Sequence, residues 1–288
     1  MKLIATDLDG TLLDNEGKVS KENAEAIKRA RELGIKFVVA TGRSYDAARF
    51  PLQEVNINCP IISLNGALTY ETDQTIINQI EMDKEVARKI LEVCQKHNMY
   101  IEFFTNSGIY SESREGFVRV LVDIMRSANP TILEQEIWDK ANLRFQAEPV
   151  TFIDHYDKIF EIENLGIFKV LVFSTEQNRL KAVHKELERA ADIAITSSGN
   201  INLEFNHPDA QKGFALKYYA RQLGIDMKDV MTLGDNWNDA SMLEMAGRGV
   251  AMANAADEIK RLCPYTTKSN IDHGVAVAIE EMLASRSS

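Results

Sequence analysis

Four short apolar runs each end in a cluster of small, acidic or hydroxyl residues, and this punctuation constrains the fold more than any other feature. Leu3–Thr6 runs into Asp7-Leu8-Asp9-Gly10-Thr11, Phe37–Ala40 into Thr41-Gly42-Arg43, Ile61–Leu64 into Asn65-Gly66-Ala67, and Val230–Leu233 into Gly234-Asp235. A short apolar run bounded by turn formers reads as a strand buried on both faces. Between the first two runs, Ser20 is placed to cap a helix in which Ala24, Ile27, Ala30 and Leu33 recur every three residues before Gly34 stops it. Strand, helix, strand with polar residues at the strand ends predicts an α/β fold, a Rossmann-like parallel sheet that binds ligands at the carboxyl ends of its strands.

The pattern lapses in the middle of the chain. Asp83–His97 has helical periodicity with Val86, Ile90, Leu91 and Val93 inward. Tyr100–Thr105 and Ile109–Ser111 read as a hairpin around Asn106-Ser107-Gly108. Lys169–Ser174 reads as a strand, Glu176–Ala190 as a helix, and Ile193–Thr196 with Ile201–Phe205 as a second hairpin around Ser198-Gly199-Asn200. Residues 128–160 give no clear pattern. The α/β alternation resumes near Pro208, with helices at Gly213–Leu223, Ala240–Ala246 and Val275–Leu283 and a strand at Val250–Met252. The expected organisation is a sheet domain made of residues 1–82 and 207–288, split by an inserted α+β cap at 83–206.

Composition narrows the function. Acidic residues outnumber basic ones, 43 to 33, for a net charge of −10. That balance argues against nucleic-acid or anionic-membrane binding, which needs a basic face, yet leaves room for a small anionic ligand. The chain is 45% apolar and 26% charged, which excludes a disordered or low-complexity protein. Cys59, Cys94 and Cys263 are scattered outside any CxxC pattern, so neither a disulfide framework nor a zinc site is expected. Acidic residues come too early for a signal peptide, and no apolar run approaches the ~18 residues of a membrane span. A cytoplasmic monomer or homodimer is the expectation.

The strand ends carry the chemistry. Asp7, Asp9, Asp235 and Asp239 would converge on one crevice and repel one another, and hard oxygen ligands of this kind suit Mg²⁺. Asp7 and Asp9 lie two apart where a strand enters a loop, so one carboxylate can attack phosphorus while the other transfers protons. Backbone N–H groups of Leu8, Gly10 and Thr11 are placed to meet phosphate oxygens. Gly42 lets the chain approach a ligand beside Thr41.

The ordered set resembles the haloacid dehalogenase superfamily of phosphotransferases. Asp7-Leu8-Asp9-Gly10-Thr11 is similar to its first motif, Thr41 in Ala40-Thr41-Gly42-Arg43 to its second, Lys212 followed by Gly213 to its third, and Gly234-Asp235-Asn236-Trp237-Asn238-Asp239 to its fourth. Asn65-Gly66-Ala67, Lys268-Ser269-Asn270 and Asp272-His273-Gly274-Val275 add a likeness to its Cof-type subfamily with a type IIB cap. The resemblance implies that Asp7 is the nucleophile of an aspartyl-phosphate and Asp9 the general acid and base. It implies that Thr41 and Lys212 bind the transferring phosphoryl group, with Lys212 also neutralising Asp7. Mg²⁺ would be ligated by Asp7, the Asp9 carbonyl and Asp235, with Asp239 supporting the metal site through water or Lys212.

Leu8, Gly42 and Asn238 are expected at the phosphate; Arg43 is counted with them, although it can equally pair with an acid. Trp237 is read as packing. The implied activity is a Mg²⁺-dependent phosphatase of small phosphorylated metabolites, sugar phosphates or a flavin-pathway phosphate, with substrate choice set by the cap. A phosphomutase or phosphotransferase using the same residues, and a binder without catalysis, are the alternatives. Intact Asp9 disfavours dehalogenation.

Overall fold

A computed structural model describes residues 1–128, 131–190, 192–197 and 201–285. The chain divides into two compact units, residues 1–79 with 209–288 and residues 80–208. The expected junctions at 82/83 and 206/207 differ slightly, because Met82 is already tied into the insertion by its N–H bond to the Ile167 carbonyl at 2.7 Å.

In the first unit, β1 (Leu3–Thr6), β2 (Lys36–Ala40) and β3 (Ile61–Ser63) run parallel, separated by α1 (Lys21–Glu32) and α2 (Tyr45–Glu54). A hairpin follows, with β4 (Leu68–Tyr70) antiparallel to β3 and β5 (Ile76–Gln79) antiparallel to β4. Alternation along the parallel strands sorts their side chains onto two helix layers. Ile4, Phe37, Val39 and Ile61 share a core with Ala26, Ile27 and Ala30 of α1, while Leu3, Ala5, Val38, Ala40 and Ile62 share the core on the other face. The helix α1 buries Asn23, Ala26, Ile27 and Ala30, whereas Leu33, expected on that stripe, is 63% exposed beyond the helix end.

The second unit begins with α3 (Lys84–Lys96), β6 (Tyr100–Thr105) and β7 (Gly108–Ser111). The stretch around 128–160 resolves into α4 (Arg114–Ala128), α5 (Glu134–Ala147), β8 (Val150–Phe152) and α6 (Asp157–Glu161). Then come β9 (Ile167–Phe173), α7 (Gln177–Leu187), β10 (Ala194–Thr196) and β11 (Asn202–Asn206). The six strands form one sheet in the order β10-β11-β9-β6-β7-β8, antiparallel except for β7 with β8. The turn expected at 198–200 lies outside the described residues. One sheet face is apolar, with Ile101, Phe103, Val170, Val172, Leu203 and Phe205 in a shared core with α3 and α7. Glu102, Lys169 and Glu204 are also buried; Lys169 Nζ lies 3.9 Å from Glu204 and 4.4 Å from the centroid of the Phe104 ring.

The chain returns to the first unit through α8 (Lys212–Gln222), β12 (Val230–Gly234), α9 (Ala240–Met245), β13 (Arg248–Ala251), α10 (Asp257–Lys260), β14 (Tyr265–Thr266) and α11 (Gly274–Ala284). Its eight-stranded sheet has the order β14-β13-β12-β1-β2-β3-β4-β5. The central strands β1 and β12 are parallel neighbours, so the two motif-bearing ends lie side by side.

Asn23 ties this unit together. Its Nδ2 donates to the Leu12 carbonyl at 3.2 Å and its Oδ1 accepts from the Ala276 N–H at 2.9 Å. Ala276 is in the first turn of α11, whose preceding residue, His273, makes no side-chain cap; Asn23 supplies that cap from another helix. Asn23→Ala leaves both backbone groups buried without a partner and is expected to cost roughly 2–4 kcal/mol, read as a lower urea midpoint at unchanged slope.

Candidate active site

The ends of β1 and β12 bring the motif residues together. After Thr6 the chain enters a wide turn closed by the Leu12 N–H to the Asp7 carbonyl at 3.3 Å and the Leu13 N–H to the Leu8 carbonyl at 2.9 Å. Gly10 sits in this turn at φ 74°, and a Cβ there would collide with the Asp235 carboxylate. A glycine is therefore required both by conformation and by the approach of the second acidic loop. Asp7 is buried and Asp9 is exposed, although they lie two residues apart.

Lys212 opens α8 and is fully buried. Its ammonium donates to Asp7 Oδ1 at 2.7 Å and to Asp239 Oδ1 at 2.6 Å. The second Asp239 oxygen accepts the N–H groups of Asp235 and Asn236, at 2.9 and 3.1 Å. Both Asp239 oxygens are thus engaged in holding the lysine and the loop. Asp235 accepts from the Thr11 hydroxyl at 2.8 Å, a side-chain role that the backbone reading of Thr11 missed.

Burial raises Asp7 well above the usual carboxylate range, with Asp239 adding to the effect and Lys212 opposing it. Burial, reinforced by Asp239, lifts Asp235 to about 6. Burial alone would lower Lys212, but Asp239 and Asp7 outweigh it and raise its pKa, keeping the ammonium charged.

Carboxylate oxygens of Asp7, Asp235 and Asp239 all lie within 4.8 Å of one another. Among the described residues, the Asp9 carbonyl has no hydrogen-bond donor from outside its own turn. The available donors are hard oxygens only, and their crowding leaves excess negative charge, so these residues fit a divalent cation of the Mg²⁺ type.

Thr41 is buried at the end of β2, where its hydroxyl accepts the Arg43 N–H at 3.1 Å. Gly42 follows it in the loop. Arg43 pairs with an acid: Nε donates to Asp9 Oδ2 at 2.8 Å and Nη2 to Asp9 Oδ1 at 2.5 Å. Asn238 is buried, with Nδ2 donating to Asn65 Oδ1 at 3.3 Å and its own Oδ1 without a partner. Asn65 holds φ 60°, a left-handed conformation that asparagine tolerates. Among the described residues, the N–H groups of Leu8, Gly10 and Thr11 have no acceptor outside their own turn. Trp237 does not pack inside; it is 53% exposed. The three cysteines are buried free thiols, and burial pushes Cys59 and Cys94 up to about 12, far from reactive.

Two supports escaped notice in the sequence. Asn254 Nδ2 donates to the Gly10 carbonyl at 2.8 Å, and its Oδ1 accepts the Asn270 N–H at 3.0 Å. Asn270 Nδ2 donates to the Leu13 carbonyl at 2.9 Å. Asn270 belongs to a quoted motif, but Asn254 had no signal beyond following a strand end.

Because folding raises the Asp235 pKa, the folded state holds this proton more tightly than the unfolded chain. Its contribution to the cation-free protein is present below the ordinary value of 3.8 and is lost as pH rises through about 6. Asp235→Asn removes that loss. In EDTA, the variant should melt close to wild type near pH 4 and above it at pH 8; equal melting temperatures at pH 8 would contradict the assignment.

Comparison with known proteins gives the family. Residues 4–279 match the family model described as haloacid dehalogenase-like hydrolase. The 5-amino-6-(5-phospho-D-ribitylamino)uracil phosphatase YwtE of Bacillus subtilis is 37% identical over 285 residues, 99% of either chain. The phosphatase YwpJ of the same organism is 36% identical, over 98% of this chain and 100% of that one. A solved haloacid dehalogenase-like hydrolase from B. subtilis superposes with a TM-score of 0.86 at 37% identity, covering 97% of this chain and 99% of the other. With the motifs on adjacent strand ends and the family match across nearly the whole chain, this protein belongs to the haloacid dehalogenase-like hydrolase family.

Proposed function

We propose that the protein is a Mg²⁺-dependent phosphatase of small phosphorylated metabolites, working through an aspartyl-phosphate on Asp7. The observation that carries this reading is the buried Lys212 ammonium joining Asp7 to Asp239 beside Asp235. It holds one oxygen of Asp7 and leaves the other to attack.

In the first step an Asp7 oxygen forms a bond to phosphorus as the ester P–O bond breaks, and Asp9 gives a proton to the leaving oxygen. In the second step water attacks the same phosphorus, Asp9 takes its proton, and the Asp7–phosphorus bond breaks to release phosphate. Thr41, Lys212 and the N–H groups of Leu8, Gly10 and Thr11 bind the phosphoryl oxygens, with Gly42 and Asn238 at its edge. These are the positioned donors that phosphoryl transfer requires. Asp7, Asp235 and the Asp9 carbonyl would hold Mg²⁺, with Asp239 behind them, and the ion when bound neutralises charge on the phosphoryl group.

Substrate choice belongs to the insertion. YwtE is named for a phosphate ester on a ribityl chain, and a flavin-pathway phosphate or a sugar phosphate is the class we assign here. The test is phosphate release from a panel of phosphorylated metabolites, with Mg²⁺ and with EDTA. Wild type should release phosphate only with the metal, and Asp7→Asn should lose at least about a thousandfold in turnover. Isomer formation without free phosphate would make the protein a mutase. Retained activity in Asp7→Asn would remove Asp7 from the chemistry.

A further inference from the structure

Pro51 lies in the interior of α2. A proline there cannot donate to the carbonyl four residues back, and its ring presses that carbonyl outward. The carbonyl belongs to Ala47, and Nη1 of Arg43 donates to it at 3.3 Å. The same guanidinium grips Asp9 through its other two nitrogens. The Arg43 backbone is tied as well, its N–H to the Thr41 hydroxyl and its carbonyl to the Leu64 N–H at 3.0 Å. All three nitrogens of the guanidinium are therefore spoken for, two on the carboxylate and one on a helix defect.

We propose that Pro51 and Arg43 are positioning residues for Asp9: the proline frees the Ala47 carbonyl, that carbonyl anchors the guanidinium, and the guanidinium sets the plane of the carboxylate. A planar fork fixes a carboxylate only when the fork itself is held. Arginine left on a flexible stem would keep its rotamer freedom and pass it to Asp9. Alanine at position 51 restores a helical N–H that competes for the Ala47 carbonyl, so the anchor is lost while Arg43 and Asp9 remain. This inference rests on the reading of Asp9 as the group that protonates the leaving oxygen.

The test is kcat/KM for phosphate esters whose leaving groups run from p-nitrophenol to a simple alkyl alcohol. An alkoxide needs a proton to leave, and p-nitrophenolate does not. Asp9→Asn should therefore lose most on the alkyl ester. Arg43→Ala should follow the same order, about 100-fold on the alkyl ester and within about 5-fold on the p-nitrophenyl ester. Pro51→Ala should lose about 3- to 10-fold on the alkyl ester only, and should add nothing to Arg43→Ala in the double variant.

If Arg43→Ala does not fold by circular dichroism, Arg43→Lys, which keeps the charge and loses the fork, should show the same order of losses. An equal loss on every ester, with weaker inhibition by inorganic phosphate, would make Arg43 a phosphoryl ligand and overturn the proposal. So would a Pro51→Ala protein with wild-type rates, or one whose loss adds in full to that of Arg43→Ala. A flat profile for Asp9→Asn would remove the acid role of Asp9 and this proposal with it, whereas a steep profile for Asp9→Asn with a flat one for Arg43→Ala overturns the proposal alone.

Discussion

A single ammonium group organises the catalytic unit. Lys212 Nζ is buried between Asp7 and Asp239, and Asp239 in turn holds the backbone that carries Asp235. Removing one partner of such a buried pair typically costs about 3–5 kcal/mol, because the other is left charged and unpaired. The arrangement has an electrostatic consequence. Three carboxylates share one lysine, so burial and mutual repulsion push Asp7 and Asp235 upward. A proton or a divalent cation would relieve that repulsion. Asp7 is thus built into a network of crowded carboxylates that a single lysine only partly neutralises.

The loop after β1 must be held as firmly as the lysine. It departs from regular structure at Asp9 and at Gly10, and its carbonyls are claimed one by one by asparagine side chains. Asn254 takes Gly10, Asn23 takes Leu12, and Asn270 takes Leu13. Asparagine suits this work because one amide both donates and accepts. Asn254 and Asn23 each bridge the loop to a second backbone N–H, at Asn270 and Ala276. Irregular backbone near a reaction centre is tolerable when side chains from elsewhere in the fold pair its polar groups.

The legible part of the protein was the part dictated by local rules. Parallel strands buried on both faces, such as Phe37–Ala40, announce themselves as apolar runs, and the acidic loops at their ends stand out against them. The elements that escaped obey other constraints. Helix α2 carries Pro51 in its interior, which argues against a helix by propensity; its packing and the Arg43 bond to Ala47 compensate. The β4–β5 hairpin follows Leu64 and Asn65, both at positive φ, a reversal that no glycine at those positions signals. Residues 134–161 set the helices α5 and α6 on either side of a three-residue strand, β8, whose pairing with β7 depends on a partner about forty residues away in sequence. At the site, residue types and order pointed to the cluster, but whether Arg43 faced an acid or a ligand depends on where α2 places it. Asn254 was invisible because its role exists only through the distant loop it holds.

The central claim is that Asp7 becomes covalently phosphorylated while Lys212 holds its other oxygen. The most direct measurement is a single turnover with ³²P-labelled substrate, quenched in acid within milliseconds, followed by digestion and mass mapping of the labelled peptide. The expected result is one hydroxylamine-sensitive label, on Asp7, that appears and decays within the turnover. A label on a histidine or serine, or phosphate release at full rate with no protein-bound label at any time, would contradict it.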